Sequence, residues 1–203
     1  MTKITFKEQV FDPIAEKYMV DLHFYLDESR DVITTKFIGS LNTICNEIST
    51  ITLPNAKYIV FSLLRTHLVA TGEFLYSARI FDEELTNSKE LSSDCLYEAS
   101  WLTESFKKFS EDIEGHVSKS MIKHDPVYIK ELMAQVVNDF NIYFARAATD
   151  FLMEYNNDAL NGFSVLAGDY MFSPNCLVHA KFEKIKTFVT GRLYSGNNYE
   201  TEN

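Results

Sequence analysis

Between positions 65 and 79 an apolar stretch carries Arg65, His67, Glu73, Tyr76 and Arg79, the residue types that build an anion pocket or an acid–base pair. Two guanidinium groups would supply hydrogen-bond donors to an anion, and His67, assisted by Tyr76 or Glu73, would transfer a proton near neutral pH. Arg65, His67, Tyr76 and Arg79 are therefore the candidate ligand-binding residues, with a pocket expected between a small sheet and a long helix. The plainer account is structural: an arginine in so apolar a run needs a carboxylate, here Glu73, Asp82 or Asp169, or a path to water.

Other chemistry finds less support. His179 with Glu183, and Cys176 with His179, have the spacing of metal-ligand pairs, yet each supplies at most two ligands where a tight zinc site takes three or four. No HExxH, GxSxG, GxGxxG or P-loop pattern occurs. No metal, cofactor or catalytic residue is assigned from the sequence. His116 and His124 are expected to flank an exposed inter-helix loop. The acidic triplet Asp82-Glu83-Glu84 is expected to be a solvated hairpin end.

Charge points elsewhere. The net charge is −10, and residues 92–158 carry 6 Lys/Arg against 12 Asp/Glu. No Lys/Arg cluster is denser than Lys107-Lys108, so nucleic acid is not an expected partner. Glu104, Glu111, Asp112 and Glu114 sit on one predicted helix. The last three fall at its expected C-terminal end, where the helix dipole disfavours negative charge. A basic protein partner explains why such a cost is tolerated; general solubility is the alternative.

The elements that would position these residues follow from periodicity. Asp12-Pro13 reads as a helix start, with a break between Phe24 and Asp31. Ile33, Phe37, Leu41, Ile44 and Ile48 form one helical face that should stop before Leu53-Pro54. Tyr58 to Phe61 and Phe74 to Phe81 read as an antiparallel hairpin turning about Ala70-Thr71-Gly72, with a buried helix over Ile59 to Ala70 as the rival. Asp94 is expected to cap a helix bearing Leu96, Ala99, Leu102, Phe106, Phe109 and Ile113, ended by Gly115. Asp125-Pro126 opens the longest stripe: Ile129, Leu132, Val136, Phe140, Tyr143, Ala147 and Phe151, ended by Asn156-Asn157 and Asn161-Gly162. Phe163 to Met171 is expected to add a third strand, broken by Pro174, and Leu177 to Val189 a last helix.

The expected fold is α+β and mainly helical: four or five helices around a long central one, with a small antiparallel sheet formed by a hairpin over 57–82 and a strand near 163–171. An all-α bundle is the alternative. Residues 1–190 are read as one domain and 191–203 as a flexible tail. Three scattered cysteines, with no apolar leader and no apolar run of membrane-spanning length, suggest a cytoplasmic protein with free thiols and no membrane role. The broad apolar stripe at Tyr143-Phe144 and Phe151-Leu152 suggests a homodimer contact, should part of it stay exposed.

Three functions are compatible with this reading. The preferred one is a non-enzymatic protein that engages a basic partner through an acidic surface, for example a bacterial immunity or antagonist-type protein. The others are a small-molecule sensor using the Arg65–Arg79 pocket, and an enzyme using His67.

Overall fold

The computed structural model describes residues 2–51, 55–84, 88–91, 95–119, 125–153, 155, 160, 162–169, 181–189 and 192–194. The expected positions Leu53, Pro54, Asp94, His124, Asn156, Asn157, Asn161, Pro174, Cys176 and His179 lie outside them. The fold is α+β and mainly helical, with a small mixed sheet.

The chain enters as a helix well before Asp12. Thr2 caps α1 (Lys3–Phe6) by accepting a hydrogen bond from the Thr5 amide, and a π-helical segment, Lys7–Phe11, leads into α2 (Asp12–Glu28). Asp12-Pro13 is therefore a point inside a continuous helical run, not its start. Pro13 has no N–H, and its ring would crowd the carbonyl four residues back. The wider π turn, in which the Asp12 amide reaches Lys7 O, accommodates it. Ser29 separates α2 from α3 (Arg30–Ile48), the expected break. The predicted stripe of α3 turns inward, with Ile33, Phe37, Leu41 and Ile44 buried.

Strands β1 (Ala56–Leu63) and β2 (Leu75–Asp82) pair antiparallel. Their connection is not the expected turn, because Arg65–Thr71 form a helix, α4. Strand and helix readings of 57–70 are each correct for half the segment. Gly72, at φ 75°, ends α4 in the left-handed conformation, and its amide bonds Leu68 O at 2.8 Å. Short strands β3 (Ser88–Glu90) and β4 (Tyr97–Glu98) both pair with β2.

Helix α5 (Ser100–Lys119) starts later and ends later than expected. Leu96 precedes it, and Gly115 and His116 lie within it. The acids Glu111, Asp112 and Glu114 are thus not in its last turn, which holds His116 and Lys119. The supposed conflict with the helix dipole is largely removed. Helix α6 (Pro126–Met153) is the 28-residue spine, with Leu132, Val136, Phe140, Ala147 and Phe151 all buried. Phe144 and Leu152 are buried in the same core. Their stripe is used within the chain and leaves no exposed remnant at those positions.

Strand β5 (Ser164–Asp169) joins β1 as expected, but in parallel, so the sheet is mixed and not antiparallel. The expected last helix over Leu177 to Val189 is instead strand β6 (Lys181–Val189), antiparallel to β5. Strand β7 (Arg192–Tyr194), inside the expected tail, pairs with β6. The strand order is β3-β2-β1-β5-β6-β7.

Alternation sorts the sheet's two faces. Ile59, Phe61, Leu63, Tyr76, Ala78, Ile80, Val165 and Ala167 belong to the main core, whereas Val60, Phe81 and Leu166 form a separate small cluster. Aromatic rings dominate the main core. Phe37 meets Phe61, Tyr97, Phe144 and Phe151 at centroid distances of 5.2–6.2 Å. Tyr76 stacks on Phe144 at 3.9 Å. No described helix is long and apolar enough to cross a membrane.

Candidate functional site: an acidic, aromatic groove

Two helices carry the same ladder. On α2, Tyr18, Asp21, Leu22 and Tyr25 stand at i, i+3, i+4 and i+7; on α5, Trp101, Glu104, Ser105 and Lys108 repeat that spacing. Each set lies along one helical face. Tyr18 meets Phe109 and Asp112, whereas Tyr25 shares a cleft with Trp101, so α2 and α5 run antiparallel. These eight residues line a cleft of about 150 Å³. Leu22 and Trp101 form its buried floor, and Tyr25, Asp21, Glu104 and Lys108 stand exposed at its rim.

Trp101 is held in place. Its indole Nε1 donates to Tyr97 Oη at 3.1 Å, and its ring packs edge-on to Tyr143 at 6.1 Å. A second cleft, of about 110 Å³, continues from the first past Tyr25 and Trp101, between α3 and the start of α5. Glu98 and Lys36 line it.

Carboxylates gather beside the larger cleft. Tyr18 Oη donates to Asp112 Oδ2 at 3.4 Å. Burial, followed by the nearby carboxylates of Asp112, Asp21 and Glu111, raises the Tyr18 phenol above its ordinary value. Among the described residues no ion pair engages Asp21, Glu104 or Glu111.

The structure brings together three of the four expected partner-binding acids. Glu104 and Glu111 are seven residues apart, nearly two full turns, and share the outer ridge of α5; Asp112 leans toward α2. Glu114 extends the Glu111 side of that ridge, about 60° round the helix from Glu111, but lies about 160° from Asp112, away from α2, at 100° per residue. Asp21, on another helix, completes the group and was not singled out in the sequence. The matched i, i+3, i+4, i+7 ladders were a signal for it. What could not be read was that the two ladders face each other.

The expected ligand set does not assemble. Arg65 and His67 ride on α4, Tyr76 faces the helices, and Arg79 is on the opposite face of β2. Arg65 donates from an Nη to Asn138 Oδ1 at 2.6 Å, and Tyr76, fully buried, donates to Asn141 Oδ1 at 3.0 Å. Asn138 and Asn141, one turn apart on α6, are thus the missed anchors of both residues. His67 Nε2 lies 3.1 Å from Glu73 Oε2, and Lys107 Nζ lies 3.9 Å from Glu73 Oε1. This surface triad takes up Glu73, and His67 makes its contact with Glu73 and not with Tyr76. The Asp169 and Glu183 side chains are not described.

Cys45 and Cys95 are buried free thiols, the former bonded to Tyr155 Oη at 3.5 Å, the latter donating to Glu47 at 3.1 Å. Burial raises the Cys45 thiol above its ordinary value, against the opposing hydrogen bond from Tyr155. A protonated thiol is a poor nucleophile and metal ligand. Among the described residues no three His, Cys, Asp or Glu side chains converge as metal ligands would.

Both clefts fall well below the roughly 300–1,000 Å³ of pockets that enclose cofactors or drug-sized ligands. The α2–α5 groove is a small open cleft with Leu22 and Trp101 at its floor and Asp21, Tyr25, Glu104 and Lys108 at its rim. No protein family, curated protein or solved structure matches this chain.

Proposed function

We propose that this protein is a non-enzymatic binding protein that engages a basic protein partner through the α2–α5 face. A bacterial immunity or antagonist-type protein neutralising a basic toxin is the concrete form of this reading. The observation that carries it is the convergence of Asp21, Glu104, Glu111 and Asp112 from two helices. Lys108 is the one cation among the residues lining the larger cleft.

A cationic surface laid across these carboxylates would meet opposite charge from both helices. In a chain of net charge −10, such a face also steers a basic partner during encounter, raising the association rate more than the final affinity. The reading places the protein in the cytoplasm, which suits the reduced Cys45 and Cys95.

The test is affinity capture from the source cell, comparing the wild type with the triple variant Asp21→Lys, Glu104→Lys and Glu111→Lys. A control carries the same charge change at the exposed Asp31, Glu84 and Glu131. The expected result is a basic protein retained by wild type and control, released as salt rises, and lost from the triple variant. Equal capture by the triple variant would remove the proposal.

A further inference from the structure

We infer that the cleft between α2 and α5 receives an arginine side chain of that basic partner, an inference that rests on the proposed acidic-face function. Three observations combine. The cleft, about 150 Å³, is small and open to solvent, of a size for a side chain and not for a large ligand. Of its aromatic residues, Tyr25 is exposed and offers a ring surface to a flat cation, while Trp101 closes the floor and Tyr18 already carries the Lys17 ammonium over its ring at 5.3 Å. Asp21 and Glu104 approach from opposite helices, so a group seated between them meets a carboxylate on each side.

A guanidinium fits that description better than an ammonium. It is planar, stacks on aromatic faces, and projects donors in several directions at once, whereas an ammonium is a compact, strongly hydrated point charge. Tyr25 is 42% exposed and stands at the entrance, free to pack on the arriving stem. Lys108 at the rim and Lys17, its ammonium 5.3 Å over the Tyr18 ring, oppose entry, against the carboxylates of Asp21, Glu104 and Asp112.

Trp101 is the single tryptophan of the chain, so its fluorescence reports on this cleft and on the smaller one that continues past it. The probes are acetyl-Gly-Arg-Gly-amide and its lysine and citrulline counterparts, the last matching arginine in shape without the charge. The arginine peptide is expected to change Trp101 emission saturably, with half-effect at ~1–10 mM, the lysine peptide more weakly, and the citrulline peptide not at all. Asp21→Asn with Glu104→Gln, both exposed and nearly isosteric, should abolish the response, with folding checked by circular dichroism. Lys108→Ala should strengthen it by a small factor, on the order of two- to threefold, from removal of one exposed unit charge at the rim. An equal response to citrulline, or an undiminished response in the double variant, overturns the inference.

The captured partner separates this inference from its foundation. Loss of capture by the charge-reversed triple variant, together with full capture by Tyr25→Ala and by the Asn/Gln double variant, would overturn the arginine site while leaving the acidic face standing. Full capture by the triple variant would overturn both.

Discussion

Replacing Thr103 by valine removes one acceptor from the interior and nothing of comparable size. Thr103 Oγ1 accepts the Phe74 amide at 2.8 Å, and the Ala99 amide bonds Phe74 O at 2.9 Å. Both polar groups of Phe74 are thus spent on the start of α5, the turn that also carries Trp101 and Glu104. Phe74 is fully buried, its ring against Phe106 at 5.4 Å and Phe140 at 5.7 Å. In Thr103→Val the amide faces a methyl group instead. Leaving such a buried donor unpaired costs about 1–3 kcal/mol, and the added methyl returns at most about 0.8 kcal/mol of burial. Valine and threonine have similar helix propensity, so the net destabilisation is about 1–2 kcal/mol. For a chain of this length that is a fall in Tm of roughly 2–8 °C. Urea unfolding with an unchanged m-value, alongside hydrogen exchange at Phe74, reads it. Exchange at Phe74 should quicken in Thr103→Val and stay protected in Thr103→Ser, which keeps the hydroxyl. Wild-type protection of that amide in Thr103→Val would refute the reasoning, whatever happens to Tm.

Three further outcomes follow from the packing. Phe37→Ala empties the junction of four aromatic rings at a fully buried site and should cost about 3–5 kcal/mol in chemical denaturation; a loss below 1 kcal/mol would mean that ring is not central. Gly72→Ala should destabilise by about 1–2 kcal/mol because of φ 75° alone, since the added Cβ would meet Lys107 Cε at an ordinary 3.7 Å; Gly72→Asn should cost less by the same melt. Burial pushes the Tyr97 phenol up to about 12, with the Trp101 hydrogen bond acting the other way. The folded state therefore holds this proton where the unfolded chain, at about 10, has lost it. Stability tied to Tyr97 is fully present below pH 10 and drains away between about 10 and 12. Burial pushes Tyr143 up to about 12 as well, so phenolate absorbance should show late-titrating tyrosines whose number falls by one in Tyr97→Phe, and the alkaline fall in stability should become shallower in that variant.

Glu114 and Asp21 show where reading the candidate site from sequence stops. Glu114 is two residues from Asp112, close in sequence and nearly opposite on the helix. Asp21 is 91 residues from Asp112, yet both surround Tyr18. Adjacent charges look like a patch in a string of letters; on a helix, 100° per residue disperses them. Spacing within each helix puts Glu114 beside Glu111 and away from Asp112, and marks Tyr18, Asp21 and Tyr25 as one face. It contains nothing about which other face they meet.

The fold divides along the same line. Helices α3 and α6 were legible because an α-helix satisfies its hydrogen bonds within the segment and prints its burial as a local stripe, Ile33 to Ile44 or Leu132 to Phe151. Strand fates were settled elsewhere. Whether β5 runs parallel or antiparallel to β1, and whether 181–189 is strand or helix, depends on backbone partners supplied by distant or separate segments. Arg65–Thr71 became a helix although Ala56–Leu63, just before it, is a strand; the last bond to β2 is from the Leu64 amide to Leu75 O, and the chain turns into α4 from there. Local periodicity thus specified a helical, aromatic interior with acid outside. Which strand lies beside which, and which carboxylates share a groove, was decided only when the chain closed on itself, since those contacts join residues that no short window contains.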